Sequence, residues 1–454
     1  MVTILADHSK GDLSTLSRQI IGRLQRCDPH SLTSTPETID RIAVQFNQGA
    51  LVLYRYGDIP KAEILCHAAI ELFARLSTTS SYKALCLAHM VPPYINIARL
   101  YAQKGDVEKS LNILDDMYGF CLGKNDLAIS GHRISAAEVP AILLADPPCE
   151  KAILSCRVVE GVRALQIVED YPALLTLVNS SIGRPEYADA FFRKYFLEVQ
   201  SRALLSLNQF DMAISAVHKY CSEKPADVYG RMGIDALLSR LYRESDRPQQ
   251  ALMTLDKLEE DLSSTASLTP QLPTLRLAAY RLALERNALG DFRGALRAAK
   301  KAYEWCREWK DQSGTTKSAI LLVRICSNLD ASNAAIKGHW RAQLQQLAST
   351  TFMRLDRACA LWELGESTDP LNGDSGAMLK YRDECLRKSY ELYCSVPSLD
   401  SRQSAEAVKR SLDSKLSNSP ARNLSPGEIA DAYSPTVEFL FDALMDYVPG
   451  MAQA

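Results

Sequence analysis

Apolar residues recur at the spacing of an α-helix along most of the chain, and short turn sequences interrupt them at intervals. The clearest turns read Gly57-Asp58-Ile59-Pro60, Gly105-Asp106-Val107 and Gly290-Asp291-Phe292, and weaker versions begin at Asp170, Asn208 and Asp246. A glycine ends a helix readily because it tolerates a positive φ, and an Asp or Pro suits the first turn of the next helix. Almost no stretch alternates with the two-residue period of a strand, so the chain is predicted to be all-α.

A small or apolar residue follows the start of each turn by four or five residues. These residues are Ala62, Ser110, Leu174, Ala213, Ala251 and Ala295. The last three intervals, 39, 38 and 44 residues, fit a repeat of one helix pair. Two antiparallel helices joined by a short turn need a small residue where they cross, so each of these six anchor residues is predicted to be buried.

Three regions resemble the tetratricopeptide-repeat superfamily of helical hairpins. The resemblance rests on Gly49-Ala50 with Leu53 before Gly57-Asp58, on Ile97-Ala98 with Tyr101 before Gly105-Asp106, and on Gly290-Asp291-Phe292 before Ala295 and Ala302. It covers residues from about 36 to 310. The resemblance implies that the hairpins form an extended groove that binds a peptide segment or a protein subunit.

The predicted fold is a right-handed solenoid of stacked antiparallel helix pairs with a loop insertion and a C-terminal helical extension. The predicted segments are an N-terminal helical segment (1–35), hairpins (36–118), an irregular Gly- and Pro-rich insertion (119–149), hairpins (150–310), a helical extension (311–410), a Ser-rich linker (411–433) and an amphipathic helix (434–454). Within the extension, residues 313–328, 333–365 and 377–394 are predicted to be helical.

The C-terminal segment carries two stripes at helical spacing. The apolar stripe is Val437, Leu440, Phe441, Leu444 and Val448, and the acidic stripe beside it is Glu438, Asp442 and Asp446. A helix of about 14 residues is marginal alone in water, so its apolar stripe is expected to dock against another protein surface. Docking as a cap on the array and docking in a partner's groove both remain open.

The charge distribution picks out one helix of the array. Residues 276–310 hold nine basic and four acidic residues, a local charge of +5 in a chain of net charge −2. Arg297, Lys301, Trp305 and Trp309 recur every four residues on the helix after Gly290, and Arg293 lies one turn earlier. Arg and Trp are favoured at binding hot spots, so these five residues are predicted to form a partner-binding face. The alternative is that the tryptophans pack inward and the basic residues are merely solvated.

Several classes of function find no support in the sequence. The 52 basic and 54 acidic residues argue against direct nucleic-acid binding, and no apolar run is long enough for membrane insertion. No phosphate-binding loop, GxSxG or HExxH motif occurs, so no catalytic residue, cofactor or metal is predicted. The twelve cysteines show no CxxC spacing and are predicted to be thiols in a cytoplasmic protein, with the nucleus as the alternative.

Two weaker patterns compete with simpler interpretations. Glu63 with His67 and Cys86 with His89 have the spacing of metal ligands on adjacent helices, although the same side chains could fill a hairpin interface. His132-Arg133 in the insertion could contact a ligand or only water.

The predicted function is a non-enzymatic scaffold or adaptor that binds a protein or peptide partner, within a multi-subunit complex. One alternative is a ligand- or peptide-sensing regulator. The other is an enzyme with a pocket between hairpins, for which Glu63, His67 and His89 are the first residues to test.

Overall fold

The computed structural model describes residues 36–413, except for 57, 77–82, 130–131, 138, 140–146, 185–186, 188–189, 224–227, 266–272, 330–332, 352, 369–374 and 397. The predictions for residues 1–35 and for the C-terminal helix at 434–454 lie outside the described residues. The chain divides into two compact units, Met1–Ala164 (unit 1) and Leu165–Ala454 (unit 2).

Unit 1 contains two helix pairs, a short β-hairpin and most of a further helix. Its elements are α1 (Pro36–Tyr56), α2 (Ile59–Leu76), α3 (Lys83–Lys104), α4 (Val107–Cys121), β1 (Leu127–Ile129), β2 (His132–Ile134) and α5 (Pro147–Ile167), the last of which ends just inside unit 2. Helix α1 packs against α2, α2 against α3 and α3 against α4, and α1 also contacts α3.

Unit 2 contains the remaining helices, and each packs against the next along the chain from α6 onwards. They are α6 (Tyr171–Ser181), α7 (Ala190–Ser206), α8 (Phe210–Glu223), α9 (Val228–Glu244), α10 (Pro248–Thr265), α11 (Pro273–Ala288), α12 (Phe292–Glu308), α13 (Gln312–Ser327), α14 (Ala334–Thr350), α15 (Arg354–Glu366), α16 (Ser375–Cys394) and α17 (Leu399–Asp413). The first helices of successive pairs, α7, α9, α11, α13 and α15, also contact one another in that order. The predicted all-α solenoid architecture is therefore confirmed.

Within the part of the chain that the structure describes, one turn geometry joins the helices at six places. In each turn a residue with positive φ donates its N–H to the carbonyl three residues back, and the next residue donates to the carbonyl five residues back. The turn between α11 and α12 shows the pattern, with Gly290 N–H to Asn287 O at 3.1 Å and Asp291 N–H to Arg286 O at 2.9 Å. This arrangement is the Schellman motif, and it satisfies the last carbonyls of the helix. The positive-φ residues are Gly105, Glu169, Asn208, Asp246, Gly290 and Lys310.

The anchor residues are where the repeat predicted them. All six are at most 1% exposed. In each case the anchor N–H donates to the backbone carbonyl of the residue four positions back, as Ala295 does to Asp291 at 2.9 Å. A small or apolar side chain at this point lets the second helix of each pair approach the first closely, because a larger polar group would need space and solvent.

The insertion contains more regular structure than the sequence indicates. β1 and β2 pair antiparallel, with Leu127 opposite Ile134, and both of these side chains are buried. The hairpin contacts α2, and β1 also contacts α4. Strands of three residues are too short to show a period of two, which is why the sequence pattern gave no sign of them.

The predicted helical extension continues the same pairwise packing. The segment 333–365, predicted as one helical stretch, is interrupted at Thr351, whose backbone is extended with φ −67° and ψ 132°. The last helix, α17, runs to Asp413, three residues into the predicted linker. No helix within the described ranges is long and apolar enough to cross a membrane.

Candidate partner-binding face

Helix α12 is narrow on its inner side because that side is lined with alanine. Ala295, Ala298, Ala299 and Ala302 are buried, and α12 packs closely between α11 and α13. The Asp291 carboxylate caps the helix by accepting the Gly294 N–H at 2.9 Å. Since the large side chains of α12 have little room on the inner side, most of them project from the opposite side.

The structure brings four of the five predicted site residues together on α12 and places the fifth at its end. Arg293 and Arg297 are exposed, and 66% of the Arg297 side chain is accessible to solvent. Lys301 and Trp305 are half-buried, and Trp309, the C-cap residue, is 41% exposed. We call this set the α12 ridge.

Lys301 and Trp305 form a cation–π contact in the middle of the ridge. The Lys301 ammonium lies 4.9 Å from the centroid of the Trp305 ring. Burial lowers the pKa of Lys301, and the nearby Glu259 carboxylate partly offsets this effect. A partly desolvated ammonium interacts more strongly with an aromatic face than an exposed one does, so this pair is held in a defined position.

A charged network fixes the base of the ridge to α10. Arg286, whose side chain is 7% exposed, donates to Glu259 Oε2 at 2.6 Å and to Asp256 Oδ1 at 2.7 Å. Its other terminal nitrogen pairs with Asp291. Glu259 also lies 3.6 Å from the Arg297 guanidinium, so one carboxylate connects the buried arginine to the exposed one.

The network shifts the titration of the helix cap. Burial alone would raise the pKa of Asp291, but the Gly294 N–H and the Arg286 guanidinium outweigh it, so this pKa is lowered. Asp291 therefore stays ionised below the usual range of a carboxyl group and keeps both the cap and the ion pair.

The two sequence interpretations of the ridge each describe part of it. Trp305 packs against the edge of the unit 2 core, as the packing interpretation expects. Arg297 and Trp309 remain exposed, as a binding face requires. The sequence did not single out Glu259 and Asp256 for this site, because nothing local indicates that a preceding helix supplies these carboxylates.

The weaker candidate groups in unit 1 have other partners or positions. Glu63 pairs with Lys104, and His89 Nδ1 lies 2.9 Å from Asp40 Oδ1. His67 is exposed. Within the described part of the chain, no group of three or more His, Cys, Asp or Glu residues is arranged to hold a metal ion. His132 lies on β2 opposite Ile129.

The eight cysteines whose side chains are described are free thiols, and five of them are buried. Burial raises the pKa of Cys66 and of Cys306 to about 12. These thiols behave as small apolar residues, since a thiolate is disfavoured at their positions. Cys221 and Cys394 are exposed.

Comparison with known proteins leaves the family of the chain open. No family model matches the sequence, and no curated protein matches it. Among solved structures, the chain is similar to the crystal structure of BtubC (BKLC) from P. vanneervenii, with 12% sequence identity over 57% of this chain and 95% of that chain. The TM-score is 0.37, and a likeness of this size carries no argument about function.

Proposed function

We propose that this protein is a non-enzymatic interaction scaffold that binds a protein segment at the α12 ridge. The observation that carries the proposal is the exposure of Trp309 and Arg297 beside the fixed Lys301–Trp305 pair. Tryptophan is usually mostly buried in a folded domain, so a tryptophan left 41% exposed on the same ridge as an exposed arginine is typical of a binding hot spot.

The ridge also has the rigidity that binding favours. The Asp291 cap, the alanine-lined inner side and the Arg286 network hold α12 in place before any partner arrives. A face that is already ordered loses less conformational entropy on binding than a flexible one does. The exposed side chains of α12 and the following turn include four basic residues, Arg293, Arg297, Arg307 and Lys310, against two acidic ones, Glu304 and Glu308. A partner with acidic and apolar side chains fits this composition.

The proposed partner is a protein in a multi-subunit complex in the cytoplasm, with the nucleus as the alternative. The nearly balanced charge of the whole chain, −2, supports a protein partner rather than nucleic acid.

Affinity purification of the full chain tests the proposal. Two variants are compared with the wild type: Arg297→Glu with Lys301→Glu on the ridge, and Lys409→Glu with Arg410→Glu on α17. Both variants change the charge by the same amount, and Lys409 and Arg410 are exposed residues of the same unit. We expect a stoichiometric protein partner that the ridge variant loses and the α17 variant keeps. Equal recovery with all three proteins would contradict the proposed site.

A further inference from the structure

We infer that the C-terminal segment 434–448 of this same chain occupies the α12 ridge and competes there with the external partner. The inference rests on the proposed function for its regulatory consequence, whereas the docking itself can be tested separately. Four observations carry it: the charge of the segment, the spacing of its charges, the surface of α17 and the length of the tether.

The end of the chain is strongly acidic. Residues 423–454 contain five acidic residues and no Lys or Arg. The acidic residues are Glu428, Asp431, Glu438, Asp442 and Asp446. Three of them, Glu438, Asp442 and Asp446, lie within 434–448, and the ridge carries three basic residues, Arg293, Arg297 and Lys301. The segment and the ridge are therefore opposite in charge.

The spacing of the acidic residues in the segment also corresponds to the spacing of the basic residues on the ridge. Glu438, Asp442 and Asp446 recur every four residues, which is the interval between Arg297 and Lys301. On a helix such residues form one row, so the acidic row predicted for the segment matches the basic row of the ridge. The apolar stripe beside the acidic row, which includes Phe441 and Leu444, supplies apolar contacts for a half-buried and an exposed tryptophan. A guanidinium has five N–H donors, so Arg297 keeps donors for a second carboxylate beside Glu259.

The last described helix, α17, is a poorer docking site than the ridge for the apolar stripe of the segment. Every exposed side chain described on α17 is polar: Arg402, Gln403, Glu406, Lys409, Arg410 and Asp413. A solenoid needs a cap when its end exposes an apolar face, and this face of α17 already has the polar character of a cap. The apolar stripe of residues 434–448 therefore has a better site at Trp305 and Trp309 than on this face.

The tether is long enough to reach the ridge. Helices α12 to α17 pack in succession, so the five steps of about 8–10 Å place their axes at most about 50 Å apart. Residues 414–433 number 20 and span up to roughly 66 Å when extended. A tether of this length gives a local concentration on the order of 1 mM. If the segment binds the ridge with a Kd of about 0.1 mM, it lowers the apparent affinity of the external partner about tenfold.

Carbodiimide cross-linking of the full chain tests the docking directly. This reagent joins a lysine amine to a carboxylate in contact with it, and peptide mass spectrometry identifies the joined residues. An equal mixture of ¹⁵N-labelled and unlabelled protein separates links within one chain from links between two. We expect Lys301 to be joined to Glu438, Asp442 or Asp446 of the same chain, with a yield that falls as salt is added.

Lys301→Arg is the matched control variant, because it keeps the charge and removes the reactive amine. It should abolish these links without altering the exposure of Trp309. Links from the acidic segment to Lys409 in place of Lys301 would show an end cap and overturn the inference. Links only between chains would assign the segment to a second copy and also overturn it. The absence of any link from Lys301 to the segment would also overturn the inference.

Binding of the external partner separates the two proposals. In the variant Glu438→Gln with Asp442→Asn and Asp446→Asn, the partner should bind about tenfold more tightly than in the wild type. If the cross-links form but charge reversal on the ridge does not affect the partner, the docking stands and the proposed function fails. If the partner needs the ridge but the C-terminal variant binds it no more tightly, the competition is refuted while the proposed function stands.

Discussion

Replacing Arg286 with Met removes the centre of the network that holds α12 to α10. The Arg286 side chain is 7% exposed and pairs with Asp256, Glu259 and Asp291. The substitution keeps most of the apolar volume and deletes the guanidinium. Three carboxylates then lose their shared partner, and Asp291 keeps only its bond from the Gly294 N–H among these contacts.

The size of the expected loss in the free energy of unfolding depends on how exposed those carboxylates are. Breaking a fully buried ion pair costs about 3–5 kcal/mol, because it leaves a charge without solvent or partner. Here the exposed fractions are 70% for Asp256, 33% for Glu259 and 32% for Asp291, so all three can be partly rehydrated. We therefore expect Arg286→Met to lower the free energy of unfolding by about 2–3 kcal/mol, or the melting temperature by about 4–12 °C.

Tryptophan fluorescence during thermal unfolding measures this loss in unit 2. All four tryptophans of the chain, Trp305, Trp309, Trp340 and Trp362, lie in that unit. Arg297→Gln is the matched control, since Arg297 is mostly exposed and lies 3.6 Å from the same Glu259. An exposed pair of this kind contributes about 0–1 kcal/mol, so the control should unfold close to the wild-type temperature.

The pH dependence provides a second check on the same network. The pKa of Asp291 is lowered in the folded protein, so its contribution to stability is present above its unfolded pKa of about 3.9 and is lost as the pH falls through the lower folded value. Arg286→Met removes part of this contribution. The stability difference between wild type and variant should therefore narrow below about pH 4. A variant no less stable than Arg297→Gln, or a difference that stays constant with pH, would refute this reasoning.

Two further predictions concern the packing of the same unit and the thiols. Gly294→Ala should destabilise unit 2 by about 1–3 kcal/mol, because the added Cβ would lie 2.8 Å from Arg286 Cδ. Gly338 lies in an open position on α14, so Gly338→Ala should instead stabilise unit 2 by up to about 1 kcal/mol through helix propensity. If thermal unfolding shows that both substitutions change the stability in the same direction, these two predictions are contradicted. In the native protein at pH 8, Ellman's reagent should modify Cys221 and Cys394 and leave Cys66 and Cys306 unmodified, since burial raises the pKa of the latter two to about 12. Rapid native modification of Cys66 or Cys306, identified by peptide mapping, would be inconsistent with the packing described.

The local features of the fold could be predicted from the sequence, because each depends on neighbouring residues. The glycine turns at Gly105 and Gly290, the Asp caps and the six anchors belong to this group, whereas Gly57 lies outside the described residues. The helix break at Thr351 was missed, since no Gly or Pro marks it. The turn at Lys310 lies at the predicted boundary between 310 and 311, but its geometry was not predicted. At Lys310 the backbone adopts the Schellman motif with a residue that seldom has a positive φ, which no composition rule indicates.

The candidate site likewise has some features that could be predicted from the sequence and others that could not. Helical spacing was enough to align Arg297, Lys301 and Trp305, because it depends only on the period of the helix. The pairing of Arg286 with Asp256 and Glu259 was not predictable, because those carboxylates lie 30 and 27 residues away and their position depends on how α10 packs against α11. Whether Trp309 is exposed likewise depends on tertiary packing and not on the sequence around it.

An equilibrium titration of the purified partner against the full chain tests whether the α12 ridge binds that partner. It compares the wild type with Arg297→Glu/Lys301→Glu and with Lys409→Glu/Arg410→Glu, at low and at physiological salt. We expect the ridge variant to lose at least tenfold in affinity, with the greater loss at low salt, because exposed charges are less screened there. We expect the α17 variant to bind like the wild type. Equal affinities for all three proteins at both salt concentrations would contradict the claim that this protein binds its partner through the α12 ridge.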